Sequence, residues 1–206
     1  MATKRAFTPY DADLEKRTYD AAYYENHVKY YEKGIPFFES YVRDNFEFES
    51  IADCGCGTGA FVAGFQDDKK VFGFDYSNGS KEVTFLKPEN FHEADLTESG
   101  ATAIAQGVDI VISLEVYEHI KPAFEDNYLE NVFGLGAKHV IISCAPPKQW
   151  GRHHYNCKST DEVKETVGEK FPQYEIDEER TEAFKRIKKL ASFYRKNTMV
   201  FRKKGV

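Results

Sequence analysis

The most informative segment of the chain reads Ile51-Ala52-Asp53-Cys54-Gly55-Cys56-Gly57-Thr58-Gly59-Ala60-Phe61. A short apolar run, typical of a strand, leads into three glycines at alternate positions and then into residues that favour a helix. Glycine adopts positive φ without strain and lets a ligand approach the backbone, and the free N–H groups at a helix start attract an acceptor-rich ligand. The segment therefore predicts a strand–loop–helix unit that binds a ligand on its loop.

A second acidic position supports this interpretation. Asp75 ends the apolar run Val71-Phe72-Gly73-Phe74-Asp75, 22 residues after Asp53, so its carboxylate is predicted to lie at the end of the next strand. A carboxylate there can accept hydrogen bonds from the two hydroxyls of a ribose. Because the glycines follow the spacing G-x-G-x-G rather than the G-x-G-x-x-G of most dinucleotide sites, the pattern disfavours a nicotinamide-dependent oxidoreductase.

Short apolar runs alternate with helical stretches around this unit, which predicts an α/β fold with a mainly parallel sheet and right-handed crossovers. The predicted strands are Ser50–Cys54, Lys70–Asp75, Asn90–Ala94, Val108–Leu114 and His139–Cys144. The predicted helices between them are Thr58–Phe65, Gly79–Phe85, Thr97–Gln106 and Pro122–Phe133. The nearly continuous apolar run from Val108 to Leu114 is typical of a central strand covered on both faces. The pattern leaves the order of the strands open.

The two ends of the chain have a different character. Before the first strand we predict a loose arm over residues 1–10, a tyrosine-rich helix over Asp13–Tyr31 and a helix over Pro36–Asn45. After the fifth strand we predict a helix over Thr160–Lys170, a strand over Tyr174–Asp177, a basic helix over Thr181–Leu190 and a last strand over Asn197–Arg202. A length of 206 residues favours a single domain (1–206), with 1–48 as an N-terminal helical region and 49–206 as the α/β core.

Composition and charge limit the classes of function. The formal net charge of −6 argues against a duplex nucleic-acid partner, which requires a basic surface. The sequence has no signal-like N-terminal segment and no apolar run as long as a membrane span, so we expect a cytoplasmic chain with reduced cysteines and no membrane association. His153, His154 and Cys157 are clustered, yet no cysteine or histidine pair has zinc spacing, and we therefore predict no metal ion. We expect a monomer or a homodimer.

With these motifs identified, the chain resembles the class I S-adenosylmethionine-dependent methyltransferases of the small-molecule type. The segments that carry the resemblance are Asp53–Gly59, similar to motif I, Asp75 at the second strand, His92–Leu96 at the third and Val111–Ile120 at the fourth. The resemblance implies a Rossmann-like, doubly wound sheet of seven strands, the last of them antiparallel, with helices on both faces and an N-terminal helical lid. It also implies S-adenosyl-L-methionine as the cofactor and S-adenosyl-L-homocysteine as the product.

The resemblance further implies which residues bind the cofactor. These are Asp53 near the ammonium group, Gly55, Cys56, Gly57 and Gly59 along the methionine and ribose, Asp75 and Tyr76 at the ribose, Asp95 and Leu96 at the adenine, and Leu114 and Glu115 at the methionine end. Two alternatives stay open. The glycine loop can be an ordinary tight turn, and Asp95 can instead cap a helix that starts at Leu96.

Two histidines are candidates for removing a proton from the methyl acceptor, a task that suits imidazole near neutral pH. His119 follows the fourth strand, where a purely structural role is an equal alternative. His154 lies in a loop similar to the Gly-His-x-Asn loop of some small bacterial-type methyltransferases, but Arg152 and His153 are inserted here, so His153 and His154 are hard to tell apart. Tyr19 and Tyr23 are the expected lid positions, although aromatic residues at helical spacing more often serve packing.

Taken together, the sequence predicts an enzyme that transfers a methyl group from S-adenosylmethionine to O or N of a small polar acceptor such as a sugar, a sugar nucleotide or another metabolite. Two alternatives remain. One is an RNA or protein methyltransferase, which would present a positive surface or a peptide groove around the acceptor mouth. The other is a non-catalytic S-adenosylmethionine-binding module, which would bind the cofactor without turnover.

Overall fold

A computed structural model describes residues 19–149 and 151–206 of the chain. The strands are β1 (Ser50–Cys54), β2 (Lys70–Asp75), β3 (Phe91–Glu93), β4 (Ile110–Ser113), β5 (His139–Ser143), β6 (Tyr174–Ile176) and β7 (Thr198–Lys203). They form one sheet in the order β3-β2-β1-β4-β5-β7-β6. β1 to β5 are parallel, whereas β7 runs antiparallel to both β5 and β6. The doubly wound, mainly parallel seven-stranded sheet is therefore confirmed.

Helices cover both faces of this sheet. They are α1 (Ala21–His27), α2 (Ile35–Asn45), α3 (Ala60–Ala63), α4 (Asn78–Glu82), α5 (Glu125–Phe133), α6 (Thr160–Lys170), α7 (Glu178–Lys185) and α8 (Ser192–Asn197). One apolar core lies between the sheet and α5 and α6. A second lies on the opposite face, under α2, α3, α7 and α8. The side chains of β4 alternate between the two cores, as the prediction of a central strand requires.

Several predicted helices need correction. The predicted helix Thr97–Gln106 is wrong, because the structure has only a short 3₁₀ turn there, Ala103–Ala105, and Gly100 adopts a φ of 73° that no right-handed helix contains. The predicted helix Thr58–Phe65 is shortened to α3, because Gly59 adopts a φ of 71° just before it. The basic helix predicted over Thr181–Leu190 begins earlier, at Glu178, where the Asp177 side chain caps it, and ends at Lys185.

The N-terminal and C-terminal segments differ from their predictions in a similar way. The tyrosine-rich helix is α1 followed by two 3₁₀ turns, and the part predicted before residue 19 lies outside the described residues, as does the loose arm over residues 1–10. The helix α8 was not predicted. The helix α6 agrees with its prediction, because Ser159 and Glu162 form a reciprocal capping box at its start. Among the described residues, every helix is too short or too polar to cross a membrane.

Asp109 lies just before β4 and connects the N-terminal ends of neighbouring strands. The glycine loop lies at the other, C-terminal end of β1. Its Oδ2 accepts hydrogen bonds from the backbone N–H groups of Glu49 and Ser50 at 2.8 and 3.1 Å, and its Oδ1 lies 2.8 Å from Lys138 Nζ. Burial alone would raise the pKa of Asp109, but the hydrogen bonds from Lys138 and the strand ends outweigh burial and lower the pKa to about 2.

We expect Asp109→Asn to lower the stability of the chain at pH 7 by about 1 kcal/mol, or roughly 2–4 °C in melting temperature. Because the pKa is lower in the folded chain than the usual value of about 3.9, this stabilisation is present above about pH 4 and is lost as the pH falls towards 2. Thermal melts of the wild type, Asp109→Asn and the exposed control Asp67→Asn across pH 2.5–7 test this. A gap between wild type and Asp109→Asn that stays constant with pH would contradict it.

Candidate active site

A cavity of about 380 Å³ opens at the carboxyl ends of β1, β2 and β4. This position lies beside the point where the strand order reverses, between β1 and β4, which is where open α/β sheets bind ligands. The volume falls within the range of small-molecule and cofactor sites. The cavity is therefore the candidate active site.

The glycine loop forms one wall of the cavity. Gly55 and Gly57 adopt φ values of 83° and 51°, and both line the cavity together with Cys56. The backbone N–H groups of Gly55 and Cys56 donate to the Phe74 carbonyl at 2.8 and 2.9 Å, which fixes the loop on the end of β2. A side chain at either glycine would be strained at this φ, so the loop keeps a bare backbone facing the cavity.

Asp75 holds the loop from the neighbouring strand. Its Oδ2 accepts the N–H of Gly57 at 2.9 Å, and its Oδ1 accepts the N–H of Ser77 at 2.9 Å and the hydroxyl of Ser80 at 3.1 Å. Burial raises the pKa of Asp75, and the hydrogen bonds from Ser77 and Gly57 oppose that rise. The Tyr24 hydroxyl also acts on this carboxylate as a hydrogen-bond donor, so a ligand hydroxyl that binds Asp75 has to replace or share one of these contacts.

Asp53, at the end of β1, is the unusual group of this wall. It is buried and lines the cavity, and its Oδ2 has no hydrogen-bond partner among the described residues. Burial, assisted by the nearby charge of Asp75, raises the pKa of Asp53 well above its ordinary value. Because a buried polar group without a partner costs free energy, the arrangement points to a ligand that carries a cationic or hydrogen-donating group.

The remaining predicted cofactor residues do not all reach the cavity. Tyr76, Asp95, Leu114 and Glu115 line it. Gly59 and Leu96 are buried outside its wall, and Gly59 lies against the Leu86 side chain. The Asp95 carboxylate accepts from the N–H and hydroxyl of Thr97 at 2.9 and 2.7 Å, so it closes a turn rather than capping a helix, and it remains exposed to a ligand.

Glu115 occupies a strained backbone position where the chain leaves β4. Its φ is 56°, in the left-handed region that disfavours residues other than glycine. The Ser143 hydroxyl donates to its Oε1 at 2.9 Å and also accepts its N–H at 2.7 Å, and Gln149 donates to its Oε2 at 3.3 Å. Residues with strained backbones that neighbouring groups hold in place are frequent at ligand sites. Glu115 is such a residue, and it lines the cavity.

The opposite end of the cavity contains Glu118, His119 and His154. The rings of His119 and His154 are 5.0 Å apart, and the Tyr19 hydroxyl lies 3.4 Å from His119 Nδ1. Burial and the neighbouring His154 lower the pKa of His119 to about 3, and burial also lowers the pKa of His154. Burial and the Glu115 charge raise the pKa of Glu118 to about 8. Both imidazoles are therefore neutral near pH 7.

The loop after β5 brings His154 to this place. The backbone N–H groups of Tyr155 and Asn156 both donate to the Glu118 carbonyl, at 2.7 and 3.0 Å. His153 also lines the cavity, but its backbone φ is 58° and its Nδ1 lies 2.8 Å from the Tyr155 hydroxyl. The structure thus separates the two histidines and pairs His154, rather than His153, with His119. Trp150 lies outside the described residues.

Aromatic residues of the N-terminal segment close the cavity. Tyr19, Tyr23, Tyr24 and His27 line it, so the lid positions expected from the sequence lie against the site. Other tyrosines of the predicted tyrosine-rich helix have different surroundings: Tyr30 is 65% exposed, and Tyr31 stacks on Phe61 in the core. Tyr24 and His27 were not predicted as lid positions, although both belong to the tyrosine-rich segment.

Phe193 and Tyr194 were not predicted as site residues either, and they line the cavity from the unpredicted α8.

The sequence matches no protein-family model and no curated protein. Comparison of structures does find similar folds. Magnesium protoporphyrin IX methyltransferase from Synechocystis PCC 6803, crystallised with S-adenosylmethionine, is 16% identical, with 97% of this chain and 98% of that chain covered and a TM-score of 0.60. The 1,6-didemethyltoxoflavin-N1-methyltransferase of Burkholderia thailandensis is 15% identical, with 96% and 93% covered and a TM-score of 0.57.

A third similar structure is the small RNA methyltransferase HEN1, which is 14% identical, with 100% of this chain but 27% of that chain covered and a TM-score of 0.58. At these identities the likeness defines the fold. The chain has the fold of the class I S-adenosylmethionine-dependent methyltransferases, as the motifs implied. Because the three neighbours are named for a porphyrin, a toxoflavin precursor and a small RNA, the fold does not by itself identify the acceptor.

Proposed function

We propose that this chain is an S-adenosylmethionine-dependent methyltransferase that binds the cofactor along the glycine loop, between Asp53 and Asp75. The buried Asp53 carboxylate beside a bare glycine backbone carries this proposal, because its Oδ2 has no hydrogen-bond partner among the described residues. The ammonium group of the cofactor satisfies Asp53, and a ribose hydroxyl takes the place of the Tyr24 hydroxyl at Asp75. Structural neighbours that bind S-adenosylmethionine or S-adenosylhomocysteine support the assignment.

The charge of the cavity supports the same ligand. Among the described residues, the lining contains one guanidinium, that of Arg152, and five carboxyl groups, those of Asp53, Asp75, Asp95, Glu115 and Glu118. S-adenosylmethionine carries a sulfonium and an ammonium against one carboxylate, so its net positive charge suits an acidic cavity. A polyanionic acceptor is disfavoured for the same reason, which supports a small polar acceptor over RNA.

The acceptor belongs at the histidine end of the cavity, beyond the methionine end of the cofactor. The methyl carbon moves from sulfur to an acceptor O or N in line, so the acceptor atom must face the sulfonium while its proton is removed. His154 is a neutral imidazole near pH 7 and can accept that proton, whereas His119, with a pKa of about 3, is too weak a base and instead helps to position the acceptor. Tyr19, Tyr23 and Arg152 then form the outer wall that limits the size of the acceptor.

A truncated ligand tests the Asp53 assignment. We expect Asp53→Asn to weaken S-adenosylhomocysteine binding by about 1.5–3 kcal/mol, or tenfold or more, because it removes a charged acceptor of the ammonium. Binding of 5′-methylthioadenosine, which lacks the amino-acid portion, should change less than about twofold. Calorimetry on both ligands measures this, with Asp109→Asn as a control carboxylate outside the cavity. Equal losses for the two ligands would contradict an ammonium contact.

Turnover separates an enzyme from a cofactor-binding module. The chain is incubated with S-adenosylmethionine labelled in the methyl group and with fractionated pools of small polar metabolites, RNA and protein. We expect label to enter a small-molecule fraction and to be lost when the Asp75 carboxylate is removed. Cofactor binding without any labelled product would favour the non-catalytic module, and label in the RNA or protein pool would favour the alternative acceptors.

A further inference from the structure

Glu118, His119 and His154 come together from two separate segments. Glu118 and His119 lie in the 3₁₀ turn Tyr117–His119 after β4, and His154 lies in the loop after β5. Each offers one ligand atom, and these atoms lie within 4.8 Å of one another. In a tetrahedral site, bonds near 2.1 Å place ligand atoms about 3.4 Å apart, so side-chain shifts of about 1–1.5 Å would close the set around one ion.

The Glu118 carboxyl group lies in the cavity wall without a polar partner. The residue is fully buried, it lines the cavity, and neither of its side-chain oxygens has a hydrogen-bond partner among the described residues. Buried polar atoms without a partner cost free energy, and a bound cation would satisfy these oxygens.

We infer that Glu118, His119 and His154 form a binding site for a divalent transition-metal cation at the acceptor end of the cavity. This site differs from the expectation of no metal ion, which rested on the grouping of His153, His154 and Cys157, because nothing in the sequence places His119 beside His154. Two imidazoles and one carboxylate favour a first-row transition metal over Mg²⁺ or Ca²⁺, which prefer oxygen ligands. Three protein ligands leave coordination positions open to the cavity, as in catalytic sites.

If the chain is the methyltransferase proposed above, the metal site also defines the class of methyl acceptor. A cation with open positions binds acceptors that chelate through two oxygens, such as a vicinal diol or a hydroxy-carbonyl compound. With the ion bound, the ring nitrogens of His119 and His154 would be ligands rather than bases, and the ion would instead acidify a coordinated hydroxyl. The proton would pass to water, the oxygen lone pair would form the bond to the methyl carbon, and the carbon–sulfur bond would break with its electron pair left on sulfur. S-adenosylhomocysteine and the methyl ether are the products, with no oxidant or reductant required.

Cobalt binding tests the site without any need for turnover. Tag-free chain is stripped with chelator and titrated with Co²⁺ alone, and the bound ion is followed by visible absorption and equilibrium dialysis. We expect one Co²⁺ per chain, and roughly tenfold or more weaker binding in Glu118→Gln and in His154→Asn. Mg²⁺ should compete poorly. The control His92→Gln alters a half-buried histidine of β3 outside the cavity and should bind Co²⁺ like the wild type.

S-adenosylhomocysteine binding, measured on the same samples, distinguishes the two proposals. A chain that binds S-adenosylhomocysteine but no Co²⁺, or whose Co²⁺ affinity is unchanged in both ligand variants, overturns the metal site. A chain that binds Co²⁺ with the expected variant losses but ignores S-adenosylhomocysteine supports the metal site and overturns the cofactor assignment. Should Glu118→Gln fail to fold, His154→Asn decides the question, since its side chain lies on a surface loop.

Discussion

We expect Asp75→Ala to weaken binding of S-adenosylhomocysteine by about 1.5–3 kcal/mol, which is roughly 10- to 150-fold at 25 °C. Two effects add. The substitution removes the acceptor of the ribose hydroxyls, and it also releases the N–H of Gly57, which Asp75 holds at 2.9 Å. Unlike Asp53→Asn, Asp75→Ala should weaken the binding of 5′-methylthioadenosine as strongly as the binding of S-adenosylhomocysteine, because both ligands carry the ribose.

Ser80→Ala is the matched control for this prediction. Its hydroxyl donates to Asp75 Oδ1 at 3.1 Å, so the variant removes one protein hydrogen bond to the same carboxylate and leaves the carboxylate in place. Calorimetry should give at most a several-fold loss for Ser80→Ala. If Asp75→Ala retains wild-type affinity while circular dichroism shows it folded, the ribose assignment is refuted. If both variants lose affinity equally, Asp75 acts through loop structure rather than ligand contact.

Turnover should fall by about 10²- to 10⁴-fold in His154→Ala, the range for loss of a group that assists proton removal, while S-adenosylhomocysteine affinity changes less than about twofold. The reason is that His154 lies against His119, whereas Asp75 and the Phe74 carbonyl hold the glycine loop. Initial rates of methyl transfer to the acceptor found in the labelling experiment measure the effect, with kcat and KM determined separately.

His153→Ala provides the comparison for His154→Ala. The two residues are adjacent in sequence, but the His153 ring contacts Tyr155 and Tyr19 instead of joining the His119–Glu118 cluster. We expect its loss in kcat to be at least about tenfold smaller. A larger loss of kcat in His153→Ala than in His154→Ala would assign proton removal to His153. An unchanged kcat in both variants would assign proton removal to another group.

The cofactor side of the site was predictable because its signals are local. The glycines, Asp53 and Asp75 each lie at a strand end, and the carboxyl ends of neighbouring parallel strands meet at one edge of the sheet. Strand positions were predictable for the same reason, since runs such as Val108–Leu114 are continuous in sequence. The prediction of a helix over Thr97–Gln106 was wrong because it relied on apolar periodicity and gave too little weight to the Ser99-Gly100 pair. Gly100 adopts a positive φ, which interrupts a right-handed helix.

The acceptor side was not predictable because its contacts are long-range. His119 and His154 are 35 positions apart, and they meet only because the Glu118 carbonyl accepts two N–H groups from the loop after β5. No periodicity or spacing encodes that pairing. The contribution of α8 was missed because Ser192–Asn197 is short and partly basic, although it places Phe193 and Tyr194 in the cavity wall.

Calorimetric titration of the wild-type, tag-free chain with S-adenosylhomocysteine is the decisive test of cofactor binding. We expect saturable binding of one molecule per chain, with a dissociation constant below about 1 mM and with S-adenosylmethionine as a competitor. A folded chain that binds neither compound at millimolar concentration would contradict the proposed function, since Asp53 and Asp75 would then flank a loop that holds no such nucleoside.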